Sequence, residues 1–242
     1  MRGLIVAVAV CLGAAISNLA AAESVQLAFT EFYPITYTEK GQPAGPGIEF
    51  AKLLVEGLPV ELHSQSTPLR RMLTLTPTRQ MMVAALIRTK KREQDFTWIG
   101  ELYTDSLVMV TRKPNPRIDD LEKARTMMRI GVTLGGVAEA LLHERHFTNV
   151  EPSLDMKAQA RKLASNRVEG WCALRHSAKA AWLTTGHDLD ELQMGPEIVP
   201  ASIWFAVSRS VPPHLVAELR KRFAALQKDG TLDRLMGDLR RG

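Results

Sequence analysis

The 242-residue chain carries 31 lysines and arginines against 26 aspartates and glutamates, a formal net charge of +5. Aromatic residues are only 6% of it. No Lys/Arg block interleaves with them, so the positive excess reads as solubility and anion attraction rather than as a nucleic-acid surface. The first 22 residues read as an export leader. Arg2 precedes an apolar run at 4–10 that 11–15 extends weakly, and Ala20, Ala21 and Ala22 offer a small-x-small cleavage pattern before Glu23. The run is too short for a stable membrane span, which takes about 20 residues. Val8-Ala9-Val10-Cys11 loosely resembles a lipidation box, but Val10 is large where a small residue is wanted, so no lipid anchor is expected. Removing 22 of 242 residues, Arg2 among them, leaves 220 residues with a net charge of +4. Cys172 is then the sole cysteine, which excludes an internal disulfide. A chain of this length buries roughly 70% of its unfolded surface and needs no staple.

In chain order, residues 25–30 (VQLAFT) read as a strand, and Phe32-Tyr33-Pro34 as the loop after it. Gly41 and the stretch 45–47 bracket a turn. Ile48, Ala51, Leu54 and Val55 fall at helical spacing, and Gly57 and Pro59 end that helix. A short strand at 60–63 follows. Pro68 opens a helix through 75, since proline is tolerated in the first turn. Residues 82–87 form an unbroken apolar run, as a buried parallel strand requires. The order strand, helix, strand, helix, strand predicts a parallel sheet covered by helices. After a polar turn at 89–93, residues 107–110 read as a strand, and Asp119 caps a short helix through 127. Residues 129–134 form a strand running into Gly135-Gly136, with helices at 137–147 and 156–166 and a strand at 168–174. A second βαβ set thus begins near residue 113. Residues 202–207 are a further strand. Leu215, Leu219, Phe223 and Leu226 share one helical face. Gly230 stops that helix, and Thr231 caps a last one striped by Leu232, Leu235, Met236 and Leu239. Periodicity alone does not say which half these two helices cover.

Several segments, taken in order, resemble one family. They are the first strand into Phe32-Tyr33-Pro34, the glycine turn before Ile48, and Arg88-Thr89-Lys90-Lys91-Arg92-Glu93. LVMVTRK at 107–113, IGVTLGG at 130–136, LASNRVEGW at 163–171, SIWFAVSRS at 202–210 and the closing LQKDGTLDRL follow. Each is weak alone. Together they resemble the family 3 extracellular solute-binding proteins, the periplasmic receptors of polar amino-acid ABC importers. The resemblance implies an α/β, two-lobed periplasmic binding protein of type II with a hinge and an interlobe cleft. Lobe 1 would hold 23–108 with 203–242, and lobe 2 would hold 109–202. It also implies a monomer that captures a small-molecule solute for an inner-membrane ABC permease, with no cofactor and no chemical step.

The same resemblance assigns site residues. Arg92, in a T-x-x-R turn with Thr89, would grip a ligand carboxylate, a task suited to the planar fork of a guanidinium. Arg88 ends the buried strand, where open α/β sheets place ligands. Gly135 and Gly136 open a helix whose amides can seat an anion. The family usually has Ser or Thr after the first glycine, whereas Gly136 and Val137 stand here, so only backbone donors remain. Phe32 either packs on the solute or closes the core, and Tyr33 stands beside it; Tyr37 suits the core, and Trp171 lines either the cleft or the core. Arg70 and Arg71 begin a helix that faces the cleft in relatives, and Arg70 is the candidate. Amino-acid binders place an aspartate for the α-ammonium where Leu174 stands here. An apolar residue cannot balance a buried ammonium. Glu31 could substitute, or Arg175 with Arg92 would suit an anion.

Other readings compete. A dehydratase-like enzyme on the same scaffold would need Glu31 or His176 as acid or base. A ligand-presenting sensory partner is indistinguishable from a transport receptor by sequence. His143 and His146 form H-x-x-H, but no third ligand lies nearby, so no metal is expected. Cys172 reads as a small buried hydrophobe. Neither a serine nucleophile elbow nor a P-loop occurs.

Overall fold

The computed structural model describes residues 23–240. The expected leader and its Cys11 lie outside the described residues. The first half follows the predicted order. Strand β1 (Glu23–Phe29) leads through a hairpin of β2 (Tyr37–Glu39) and β3 (Gln42–Ala44) to helix α1 (Pro46–Val55). Strand β4 (Val60–Ser66), helix α2 (Leu69–Leu75) and strand β5 (Met81–Ile87) come next. β1 pairs in parallel with both β4 and β5. All of β5 but Ile87 is buried, which explains its unbroken apolar run.

The chain then departs from the reading of its sequence. A strand was expected only at 107–110, but β6 runs from Phe96 to Arg112, 17 residues. Gly100, Glu101 and Asp105 break the apolar pattern and hide its first half. The second half holds β7 (Ile130–Thr133), α3 (Val137–Glu144), β8 (Val150–Ser153), α4 (Met156–Ala164) and β9 (Gly170–Leu174). α5 (Arg175–Leu183), β10 (Leu192–Met194) and β11 (Val199–Ser208) follow. Asp120, not Asp119, caps the 3-10 turn Leu121–Thr126, and Asp155 caps α4. β7 pairs in parallel with β8 and β9, completing a second parallel set. Among the described residues nine strands share one sheet, in the order β4-β1-β5-β11-β6-β9-β7-β8, with β10 also on β6.

β6 ties the two sets together. Its first part pairs antiparallel with β11 as far as Leu107, opposite Val199. From Leu107 to Thr111 it pairs with β9. The final helices α6 (Pro213–Lys228) and α7 (Thr231–Met236) settle the open question of placement. They bury Leu215, Leu219, Phe223, Leu232 and Met236 and pack against α1 and β6, on the side of the first parallel set.

Gly100 sets how closely α6 approaches β6. A Cβ there would lie 2.3–2.5 Å from three atoms of the Phe223 ring. That ring is 5% exposed and packs edge-on against Phe50 at 5.2 Å, so it cannot retreat. Gly100→Ala is expected to cost about 1–3 kcal/mol of stability by overpacking. A urea melt beside wild type checks this, and an unchanged midpoint contradicts it.

Candidate ligand-binding site

A cavity of about 180 Å³ opens where the carboxyl ends of the two parallel sets meet. Open α/β sheets place ligands at such strand ends. On one side it is lined by Thr30, Glu31 and Phe32 after β1, by residues 66–69 at the end of β4, and by Ile87 and Arg92 after β5. On the other side stand Thr133, Gly136, Val137 and Ala138 after β7, residues 154–156 after β8, and residues 172–174 of β9. Leu107, where β6 changes partners, also lines it.

Arg92 closes the 3-10 turn Lys90–Arg92, and its amide donates to the Thr89 carbonyl at 2.9 Å. The residue is only 8% exposed. Its Nη1 donates to the Ile87 carbonyl at 2.8 Å and its Nη2 to the Gly135 carbonyl at 3.2 Å, so one guanidinium touches both sides. Burial alone pulls its pKa down to about 10. It therefore keeps its charge at neutral pH. Two carbonyls leave part of a five-donor guanidinium unanswered.

The glycine turn is organised differently from the expectation. Gly135 has φ +77, a conformation glycine adopts freely, and a Cβ there would press on the Arg70 backbone at 3.2 Å. Its amide donates to Glu139 Oε2 at 2.6 Å, and the Gly136 amide donates to the Thr133 carbonyl at 2.9 Å. Both expected anion donors are thus satisfied internally. The next two amides, of Val137 and Ala138, start α3 and have no acceptor inside the helix. Both residues line the cavity.

Of the expected ligand contacts, Arg92, Phe32 and Gly136 line the cavity, whereas Arg88, Thr89, Tyr33, Gly135, Arg175 and Arg70 do not. Arg88 turns away. Its Nε pairs with Glu93 Oε1 at 2.7 Å and its guanidinium lies 4.6 Å from the Trp204 ring centre. Thr89 is half-buried and serves the turn through its carbonyl. Tyr33 stacks on Tyr37 at 4.9 Å, and desolvation, then Glu31, raises its hydroxyl pKa. Tyr37 is half-buried rather than core. Gly135 contributes its carbonyl to Arg92 from behind the lining. Arg175, the first residue of α5, points to the Gly195 carbonyl at 3.1 Å and borders a separate hollow with Lys179. The Arg70 side chain is 65% exposed, with Nη2 3.9 Å from Glu139 Oε2.

The remaining candidates are also placed. His176 packs Nδ1 3.0 Å from buried Asp105 and does not line the cavity. Glu31 does line it, while accepting hydrogen bonds from Thr38 and Ser66. Trp171 is fully buried. His143 and His146 are exposed, and among the described residues no group of three or more His, Cys, Asp or Glu is placed to hold a metal. Asp155, Thr133 and Thr30 were missed. An aspartate capping a helix just after a short strand was the available signal for Asp155, but β8 went unread. Cys172 is buried as expected and lines the cavity as well.

The family model for bacterial extracellular solute-binding proteins, family 3, matches residues 26–238. The chain belongs to this family. No curated protein matches it in sequence. Solved structures share the family's fold at low identity. An ABC uptake transporter substrate-binding protein from Streptococcus pneumoniae with bound histidine aligns with TM-score 0.78 and 18% identity, over 89% of this chain and 92% of that one. A histidine kinase sensor domain similar to periplasmic binding proteins aligns at 0.81 and 15%, over 90% and 96%. An ancestral amino acid-binding protein, a precursor of cyclohexadienyl dehydratase, aligns at 0.76 and 17%, over 89% and 95%. The fold is the two-lobed type II arrangement of periplasmic binding proteins. Among the described residues no helix is long and apolar enough to cross a membrane.

Burial pushes the Cys172 thiol up to about 12, so it stays protonated in the folded protein. In a chain carrying Cys11→Ala, Cys172 is expected to resist iodoacetamide at about pH 8.5, close to a free thiol's own pKa, and to react once urea unfolds the chain. Equal labelling rates in the two states would contradict this burial.

Proposed function

We propose that the protein is a periplasmic receptor that captures a small carboxylate-bearing solute and delivers it to an ABC importer in the inner membrane. One observation carries this reading. A buried guanidinium with no acidic partner among its contacts lines a cavity bounded by the carboxyl ends of two parallel strand sets. A charge removed from water calls for a counter-charge, and the solute supplies it. The amides of Val137 and Ala138 offer further donors to the same anion.

The lobes are 23–108 with 203–242, and 109–202. The change of partners on β6 at Leu107 supports that boundary. Closure is a hinge motion about the crossing strands. Membership of an extracellular solute-binding family and the export-like start support periplasmic residence. The protein acts as a monomer, without a cofactor and without catalysing a reaction. The ABC importer is its membrane partner.

A thermal-shift screen of small carboxylates tests the reading. A solute at 100 times its Kd stabilises the folded state by about 2.7 kcal/mol. Arg92→Ala is expected to cost about 2–5 kcal/mol of binding, which erases the shift while the unliganded protein stays folded. Arg92→Lys restores little, because an ammonium cannot reproduce the two-pronged contact. A full shift in Arg92→Ala would remove this residue from the site.

A further inference from the structure

We infer that the solute is a carboxylate whose body next to the carboxyl is apolar and uncharged, and that free α-amino acids are the poorer ligands. This rests on the reading of Arg92 as the carboxylate clamp and narrows it.

The argument is one of charge. An α-amino acid would bring an ammonium into the cavity within a few ångströms of its carboxylate, and hence close to Arg92. An ammonium taken out of water needs an acid or several acceptors at short range. The β9 wall offers neither. Cys172, Ala173 and Leu174 line the cavity at 1%, 5% and 2% exposure, and their backbones are engaged in the ladder to β6. The thiol there is neutral, since burial holds its proton.

Two acids do line the cavity, and hydrogen bonds from the chain fix where each one sits. Glu31 accepts from the Thr38 amide at 3.1 Å, the Thr38 hydroxyl at 2.7 Å and the Ser66 hydroxyl at 3.0 Å. Asp155 caps α4, with Oδ1 accepting from the Ala158 amide at 2.7 Å. Both side chains belong to loops after strands farther from β6, namely β1 and β8. Arg92 and Leu174 belong to loops nearer β6, after β5 and at the end of β9.

The walls are also suited to an apolar body. Leu154 is 60% exposed and lines the cavity. An exposed leucine at a cavity wall gains contact only when something apolar lies against it. Phe32 and Met156 flank the same space.

Matched pairs that differ only in the amino group test the inference by calorimetry on the whole protein. The probes are 4-methylpentanoate against leucine and 3-phenylpropionate against phenylalanine. The amine-free acid of at least one pair is expected to bind roughly tenfold tighter or more than its amino acid. Leu174→Asp is expected to reverse that preference by placing an acid on the β9 wall. Should this variant fail to fold, the wild-type pairs decide alone. Amino acids binding as tightly as their amine-free partners would overturn the inference and leave carboxylate capture standing. Binding that survives Arg92→Ala unchanged, or no binding by either member of either pair, would overturn both.

Discussion

A guanidinium that has given up its water must find its compensation in the protein or in what the protein binds. Arg92 is in that position. It is buried, its contacts are two carbonyl oxygens, and burial alone has lowered its pKa. Carbonyl dipoles compensate part of the cost but not the net charge. The rest of the site follows from this imbalance. The loops after β5 and β7 are held together by the same side chain, and the space beside them is where an anion would be worth most.

The scaffold meets that need with parallel strands. Both βαβ sets aim the carboxyl ends of their strands at one gap, so the variable loops converge without any strand having to end in the core. The neighbouring loop is satisfied from within. Glu139 takes the Gly135 amide, leaving the glycine carbonyl free for Arg92 and leaving the following helix amides toward the cavity. A carboxylate from the chain thus sits one turn away from where a solute's carboxylate is proposed to sit.

Much of the architecture was legible in the residues. The unbroken run of β5, the amphipathic α6 and the two βαβ sets carried their own signals, because buried strands and one-sided helices leave periodic marks. β6 did not. A strand that serves both sets changes its neighbours along its length, and Gly100 and Asp105 answer local demands, the Phe223 ring and the His176 amide respectively. Its pattern is therefore a sum of two environments. α5 was missed because its buried face is mostly small, Ser177, Ala178 and Ala181, with Trp182 its one large apolar residue. At the cavity, Arg92 was singled out only through the resemblance of its turn to the family's, and composition did not separate Arg88 and Arg175 from it. Only packing shows that Arg88 lies over Trp204 and that Arg175 serves the Gly195 carbonyl.

The continuity of β6 has a mechanical consequence. A 17-residue strand spans about 55 Å, and the two walls of the cavity hang from it without a flexible tether between them. In a receptor that closes on a solute, one wall would meet the other at a high effective concentration, and swinging shut would cost little of the translational freedom that two separate bodies forfeit. In a receptor of the proposed kind, the torsional stiffness of the backbone near Leu107 would help set how far the mouth gapes and how quickly cargo leaves.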